Sequence, residues 1–263
     1  MTAQRASGGL FTAGLALALA LVVGFLALPM AGVLVHVGPG RLTGSFGHQV
    51  TLDALRVSLE TTAIALALIV VIGTPAAYLL ATRSFPGRSL IIGLIALPVV
   101  LPPAVAGLGL LVAFGPSGIL GPALHSVGVE LPLTMAAVVL AQAFVASPFY
   151  VGMAYAAFAA VDPTLLEAAR TLGVGPVGVF WRVAVPLARR GLTAGGALAW
   201  ARAVGEFGAT LMFAGSFQGV TQTAPLAIYA QFGTDLPGAL ALGAVLLVVS
   251  VVVLAGTRVL RAW

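Results

Sequence analysis

At 263 residues, 60% hydrophobic and 7% charged, with a mean hydropathy of +1.14, the chain is far too apolar for a soluble domain, which carries about 25% charged residues. Its net charge of +5 comes from twelve arginines against seven acids, with no basic cluster interleaved with aromatics, so nucleic-acid binding is set aside. There is no cysteine for a disulfide, thiol chemistry or a Cys-based metal site, and no lysine with which a P-loop could reach a phosphate, so any ATP that drives this protein is hydrolysed by another chain.

After a short polar start with Arg5, residues 11–35 form an apolar run long enough to cross a bilayer, which takes about 20 residues. A signal peptide has a shorter apolar region, about 7–15 residues, followed by a cleavage site, so an uncleaved span is favoured. Residues 36–50 are Gly-rich and polar. His36 and His48 there read as solvated loop residues, with no acidic partner at metal-site spacing. The amphipathic stretch 51–60 leads into a second span, 61–81. A Pro-Gly turn with Arg83 and Arg88 follows. The third span, 90–114, contains Pro98, Pro102 and Pro103. Prolines free backbone carbonyls that must be satisfied inside protein or a wet cavity, so this span is expected to bend within a bundle. A loop over 115–130 holds the third histidine, His125. The fourth span is 131–159, with Pro148 inside it.

Residues 162–190 are the longest polar interruption, and they hold Arg170, Arg182, Arg189 and Arg190. Asp162 can cap a helix and Pro163 suits its first position. Leu165, Leu166, Ala169 and Leu172 fall at helical spacing and predict an apolar stripe, and Gly173 suits the helix end. A second short helix is expected over 176–185, stopping before Pro186. The result is a compact helix–turn–helix on a membrane surface, shaped either to dock on something or to serve as an ordinary connector. Span five, 191–215, carries Arg202 and Glu206 four residues apart, on one helix face. Charges within a bilayer are costly and usually face a bundle interior. They form either a structural ion pair or an arginine beside an anion path, positioned by the glutamate. Gly205 and Gly208 would allow another backbone to approach closely, as in a tightly packed symmetric dimer. Residues 224–232 are apolar enough for a short interfacial or re-entrant helix, and 238–256 form the sixth span.

Six spans place both termini on one side. Nine arginines lie there (Arg5, Arg83, Arg88, Arg170, Arg182, Arg189, Arg190, Arg258, Arg261) against Arg41 and Arg56 on the other. The positive-inside rule makes the nine-arginine side, with both termini and segment 162–190, cytoplasmic.

Glu167-Ala168-Ala169, three residues, Gly173, nine residues, then Val183-Ala184-Val185-Pro186 resembles the EAA loop of bacterial ABC-importer permeases, with Val185 where Leu is commoner. The stretches 201–215 and 221–229, with 84–87 and 97–107, are similar to the permease subunit of molybdate/tungstate importers, and the likeness runs from about residue 52 to the end. The resemblance implies an all-α membrane protein of about six transmembrane helices with the type I ABC-importer permease fold. Residues 1–50 would be an extra N-terminal helix with the first periplasmic loop, and 51–263 the permease core. Glu167, Ala168, Ala169, Gly173 and Pro186 would form the loop that couples to the ATPase. It further implies a homodimer in the bacterial inner membrane, multi-pass, with a cytoplasmic ABC ATPase and a periplasmic or extracellular oxyanion-binding protein as partners. The chain itself would bind no cofactor, the ATP sitting on the partner, and would be no enzyme. Molybdate or tungstate is the expected cargo. A sulfate/thiosulfate permease is the alternative, and a secondary anion transporter a weaker one, because Glu206 alone is a thin set of intramembrane titratable groups.

Overall fold

The computed structural model describes residues 2–37 and 49–262, with side chains over 11–37 and 49–253. Arg41, His48 and the rest of the first loop lie outside the described residues.

Every described element is helical: α1 (Thr2–Val37), α2 (Gln49–Thr82), α3 (Arg88–Val100), α4 (Pro103–Phe114), α5 (Gly121–Ser126), α6 (Met135–Ala159), α7 (Pro163–Thr171), α8 (Pro176–Val179), a π turn (Phe180–Ala184), α9 (Val185–Val204), α10 (Gly208–Ala214), α11 (Ala224–Phe232) and α12 (Leu236–Ala262). Among them four helices are long and apolar enough to cross a membrane: α1, α2, α6 and α12. The α3–α4 pair makes a fifth if counted as one broken crossing. Four or five such crossings are roughly consistent with the expected six.

The centre is α6, which packs against α2 on one side and α9 on the other. Small residues let the backbones close up. Tyr150 of α6 is wedged between Gly73 of α2 and Gly195 of α9, where an added Cβ would lie within 3.4 Å of its ring. Its hydroxyl donates to Thr74 Oγ1 at 2.6 Å, and that threonine in turn donates to the Val70 carbonyl. A G-x-x-x-G pattern at Gly191 and Gly195 marks the α9 face, with Gly191 against Ala157. Pro148 removes one backbone donor from α6. The hydroxyl of Ser147 donates to the Phe144 carbonyl so exposed, at 3.2 Å.

The first span runs to Val37 and takes His36 into its last turn, where Nδ1 donates to the Gly32 carbonyl at 2.8 Å. Its side chains are almost wholly exposed, and it touches the rest through Val33 and Val37 against Leu240, Ala241 and Ala244 of α12. The amphipathic stretch and second span are one continuous helix of 34 residues. The fourth span starts four residues later than expected, at Met135, because Pro132 and a Thr134 N-cap intervene; Thr134 Oγ1 accepts from Ala137 N–H.

Two spans are broken, one as expected and one not. The proline-rich third span does bend, and by 117°. Leu101 and Pro102 are extended, as the residue before a proline prefers, and α4 restarts at Pro103. Span five is not one helix either. It ends at Val204, passes through Gly205–Phe207, and resumes as α10.

Candidate functional site

Segment 162–190 is built as its residues dictate at its start. The Asp162 carboxylate accepts from the backbone N–H of Thr164 at 2.9 Å and from its hydroxyl at 2.8 Å. Those two bonds, the backbone one first, hold the carboxyl below its ordinary value. Pro163 occupies the first turn. At the other end Gly173 has φ +83°, its N–H donates to the Arg170 carbonyl, and Val174 N–H donates to the Ala169 carbonyl, both at 3.0 Å. This is a complete Schellman cap.

The apolar stripe divides. Leu166 is buried and Ala169 half-buried, packed with Phe158, Val179 and Ala184. Leu165 and Leu172 are exposed, Leu172 to 84%, together with Val177 and Trp181. Glu167, Ala168, Arg170 and Arg182 are exposed as well. The helix thus spends one face on its own core and offers the other, apolar with charges around it.

Aromatic rings fix this segment to the span ends. Phe180 lies 4.9 Å from Tyr78 of α2 and 6.3 Å from Phe158 of α6, and those two meet edge-on at 5.3 Å. Arg88 clasps the neighbouring corner: Nε donates to the Leu80 carbonyl at 2.7 Å and Nη2 to the Tyr155 hydroxyl at 2.9 Å. The segment is thus in direct contact with the ends of α2 and α6.

The second short helix does not stop before Pro186. The chain stays helical through it, because the turn just before widens to π: Val185 N–H donates to the Phe180 carbonyl, five residues back. A proline lacks the donor for the next rung, and the extra residue falls where the ladder is already interrupted.

The second cluster sits at the break in span five. Glu206 is 1% exposed, although it is outside any helix. One oxygen, Oε1, accepts the Ala209 N–H at 2.8 Å, in the first turn of α10. The other, Oε2, lies 2.6 Å from Arg202 Nη2, at ion-pair distance without the alignment of a hydrogen bond. The arginine side chain is 27% exposed. So the expected pair forms, but across a helix break and not along one face of a helix.

Gly208 and Gly107 explain how α10 is held. A Cβ on Gly208 would sit 2.8 Å from Pro103 Cβ; one on Gly107 would sit 2.6 Å from the Ala209 carbonyl. The close approach at Gly208 is thus to α4 of the same chain. Gly205 is exposed, and its nearest contact is the carbonyl of Ala201, one turn back. Phe207, in the break, meets Tyr229 of α11 at 5.1 Å.

Several buried polar bonds went unread in the sequence. Ser58 Oγ accepts Ala224 N–H at 2.7 Å and so caps α11, and Gln142 Nε2 donates to Thr62 Oγ1 at 3.2 Å. The only signal for the first was a serine on the buried stripe of α2. Near α9 a groove of about 750 Å³ runs between α2 and the π turn, walled by Val70, Val71, Trp181 and Leu192, with no charged group in its lining. No three His, Asp or Glu side chains come together among the described residues. His125 lies on α5, not in a loop, and faces Glu130 at 3.5 Å, both exposed.

A family described as the binding-protein-dependent transport system inner membrane component matches residues 69–262. The chain is 43% identical over 233 residues, 88% of each protein, to the molybdenum transport system permease protein ModB of Mycobacterium tuberculosis. It is 35% identical over 229 residues to the sulfate transport system permease protein CysW of Synechococcus elongatus, across 84% of this chain and 80% of that one. The fold is similar to that of a bacterial ABC transporter involved in import of the acidic polysaccharide alginate, with a TM-score of 0.76 at 16% identity over 96% of this chain and 95% of the other.

Proposed function

From the premise that this chain belongs to the binding-protein-dependent inner-membrane permease family, we propose that it is the membrane subunit of an ATP-driven importer of a tetrahedral oxyanion, molybdate first. The observation that carries the cargo is the 43% identity to a molybdenum permease over 88% of both chains, against 35% to a sulfate permease. The chain is a transport subunit and not an enzyme, and it crosses the membrane several times.

In this reading segment 162–190 faces the cytoplasm and seats on an ABC ATPase. Glu167, Ala168, Ala169 and Gly173 lie on or beside the docking helix, and Pro186 begins the helix behind it. An exposed apolar face ringed by charges suits a groove in a partner. Two copies of the chain enclose the path, and an external binding protein delivers the anion. Closing of the ATPase pulls the two segments together, and the Phe180–Tyr78–Phe158 contact passes that motion to α2 and α6. Two global states with different loop contacts are what such coupling requires. Arg202 lies beside the path, and Gly208 holds the α10 segment that Glu206 caps.

The test is uptake in proteoliposomes holding this chain, its ATPase and its binding protein, with sulfate as competitor. ATP-dependent molybdate uptake that excess sulfate leaves intact is the expected result. Uptake that sulfate blocks moves the cargo to sulfate. Uptake that ignores ATP and follows a proton gradient overturns the importer reading.

A further inference from the structure

We infer that Arg202 and Glu206 form a deliberately weakened anion contact, in which the glutamate cancels enough of the arginine's charge for the oxyanion to leave. The inference rests on the importer reading above and deepens it. Three observations carry it. First, the pair is graded in exposure: Glu206 is 1% exposed and the Arg202 side chain 27%. The arginine reaches outward from a glutamate that cannot. Second, Glu206 is fixed from behind, with one oxygen held by Ala209 N–H at 2.8 Å and the other facing Arg202 at 2.6 Å. A carboxylate anchored to the backbone through one oxygen, and buried, keeps its other oxygen beside Arg202 when an anion arrives. Third, the side that Arg202 and the neighbouring exposed Gly205 present lies at the helix break in the segment that the sequence reads as the fifth span. Hydrocarbon is a costly neighbour for a guanidinium, so what faces it is water or protein.

A doubly charged oxyanion passing Arg202 thus meets a dipole in place of a full positive charge. Paths for ions need sites attractive enough to enter and weak enough to leave. A lone buried arginine would fail the second condition. Phosphate-like geometry favours arginine, whose planar fork can hold two oxygens, so one remaining free edge of the guanidinium suffices for a transient contact.

The decisive variant is Glu206→Gln. A glutamine carbonyl keeps the bond to Ala209 N–H but removes the cancelling charge. In the reconstituted complex, KM for molybdate and turnover are expected to fall together, each by about tenfold, since a unit charge a few Å from a divalent anion is worth at least that much in a partly wet interior. The purified complex without its binding protein should then retain molybdate that the unaltered complex releases. A loss of turnover with unchanged KM and no retained molybdate would make the pair structural and overturn the inference. If the single variant does not insert, Arg202→Gln with Glu206→Gln keeps the site neutral and hydrogen-bonded. It should raise KM several-fold at near-normal turnover, and kinetics like those of the unaltered protein would overturn the inference. The unaltered complex in the same assay reads the importer proposal separately: if it imports molybdate and the variants behave as just described for failure, only the contact is wrong. If it imports none, both fall.

Discussion

Gly173 offers the cleanest test of whether the docking segment works through its shape. Its φ of +83° is a conformation L residues rarely take, and a Cβ built there meets nothing within 4 Å. The cost of Gly173→Ala is therefore backbone strain alone, roughly 1–2 kcal/mol. That lowers the ratio of capped to frayed segment about tenfold. Asparagine tolerates this conformation better, so Gly173→Asn should cost less than alanine. Gly173→Pro fixes φ near −65° and removes the N–H that donates to the Arg170 carbonyl, for a cost of about 3 kcal/mol or more. The expected order of ATP-driven uptake is Gly, Asn, Ala, Pro, with proline abolishing it. The assay compares proteoliposomes with matched amounts of inserted chain, and co-purification of the ATPase reports docking directly. Equal uptake across the series, or asparagine as poor as proline, would refute the claim that the left-handed cap is what the segment needs.

Gly107→Ala forces a Cβ to 2.6 Å from the Ala209 carbonyl, so α4 and α10 must part; a loss of about 1–3 kcal/mol is expected as a lower melting temperature in detergent, while Gly205→Ala leaves it unchanged. Tyr150→Phe removes the bond to Thr74 but leaves that threonine its bond to Val70, and should cost about 1 kcal/mol by the same measurement. The Asp162 cap should hold at neutral and mildly acidic pH. Its carboxyl titrates below the ordinary range, so the stabilisation is present above that range and is lost only as pH falls through the lowered value. Limited proteolysis of segment 162–190 against pH reads this, and Asp162→Asn should remove the pH dependence. Glu167→Arg should abolish uptake while the chain still inserts, since Glu167 is exposed and has no hydrogen-bond or ion-pair partner among the described residues.

What the residues announced was local. The Asp162 cap, the Gly173 terminus and the helix over 224–232 all appear where short-range chemistry places them, because each is decided by neighbours in sequence. The bend of the third span was legible too, since a proline constrains the residue before it. The break at Gly205 was not. Its residues continue a helical pattern on paper, and the alternative wins because Glu206 finds a second use as the cap of α10, while Gly107 and Gly208 open room for α10 against α4. Likewise the stripe of α7 was readable as apolar, but not which leucines would be buried. Leu166 differs from Leu165 through Phe158 and Val179, which the flanking elements α6 and α8 fold back onto it.

The π turn carries a consequence for anyone who builds hybrids of such permeases. One extra residue over 180–184 turns everything before it by about 100° relative to α9. The direction in which Glu167 points is thus written in a count of residues and not in their identity. A graft whose junction falls between 180 and 184, from a donor with an ordinary turn there, would carry every docking residue and aim them at the wrong neighbour. Junctions at Gly173 or beyond Val204 keep that phase intact.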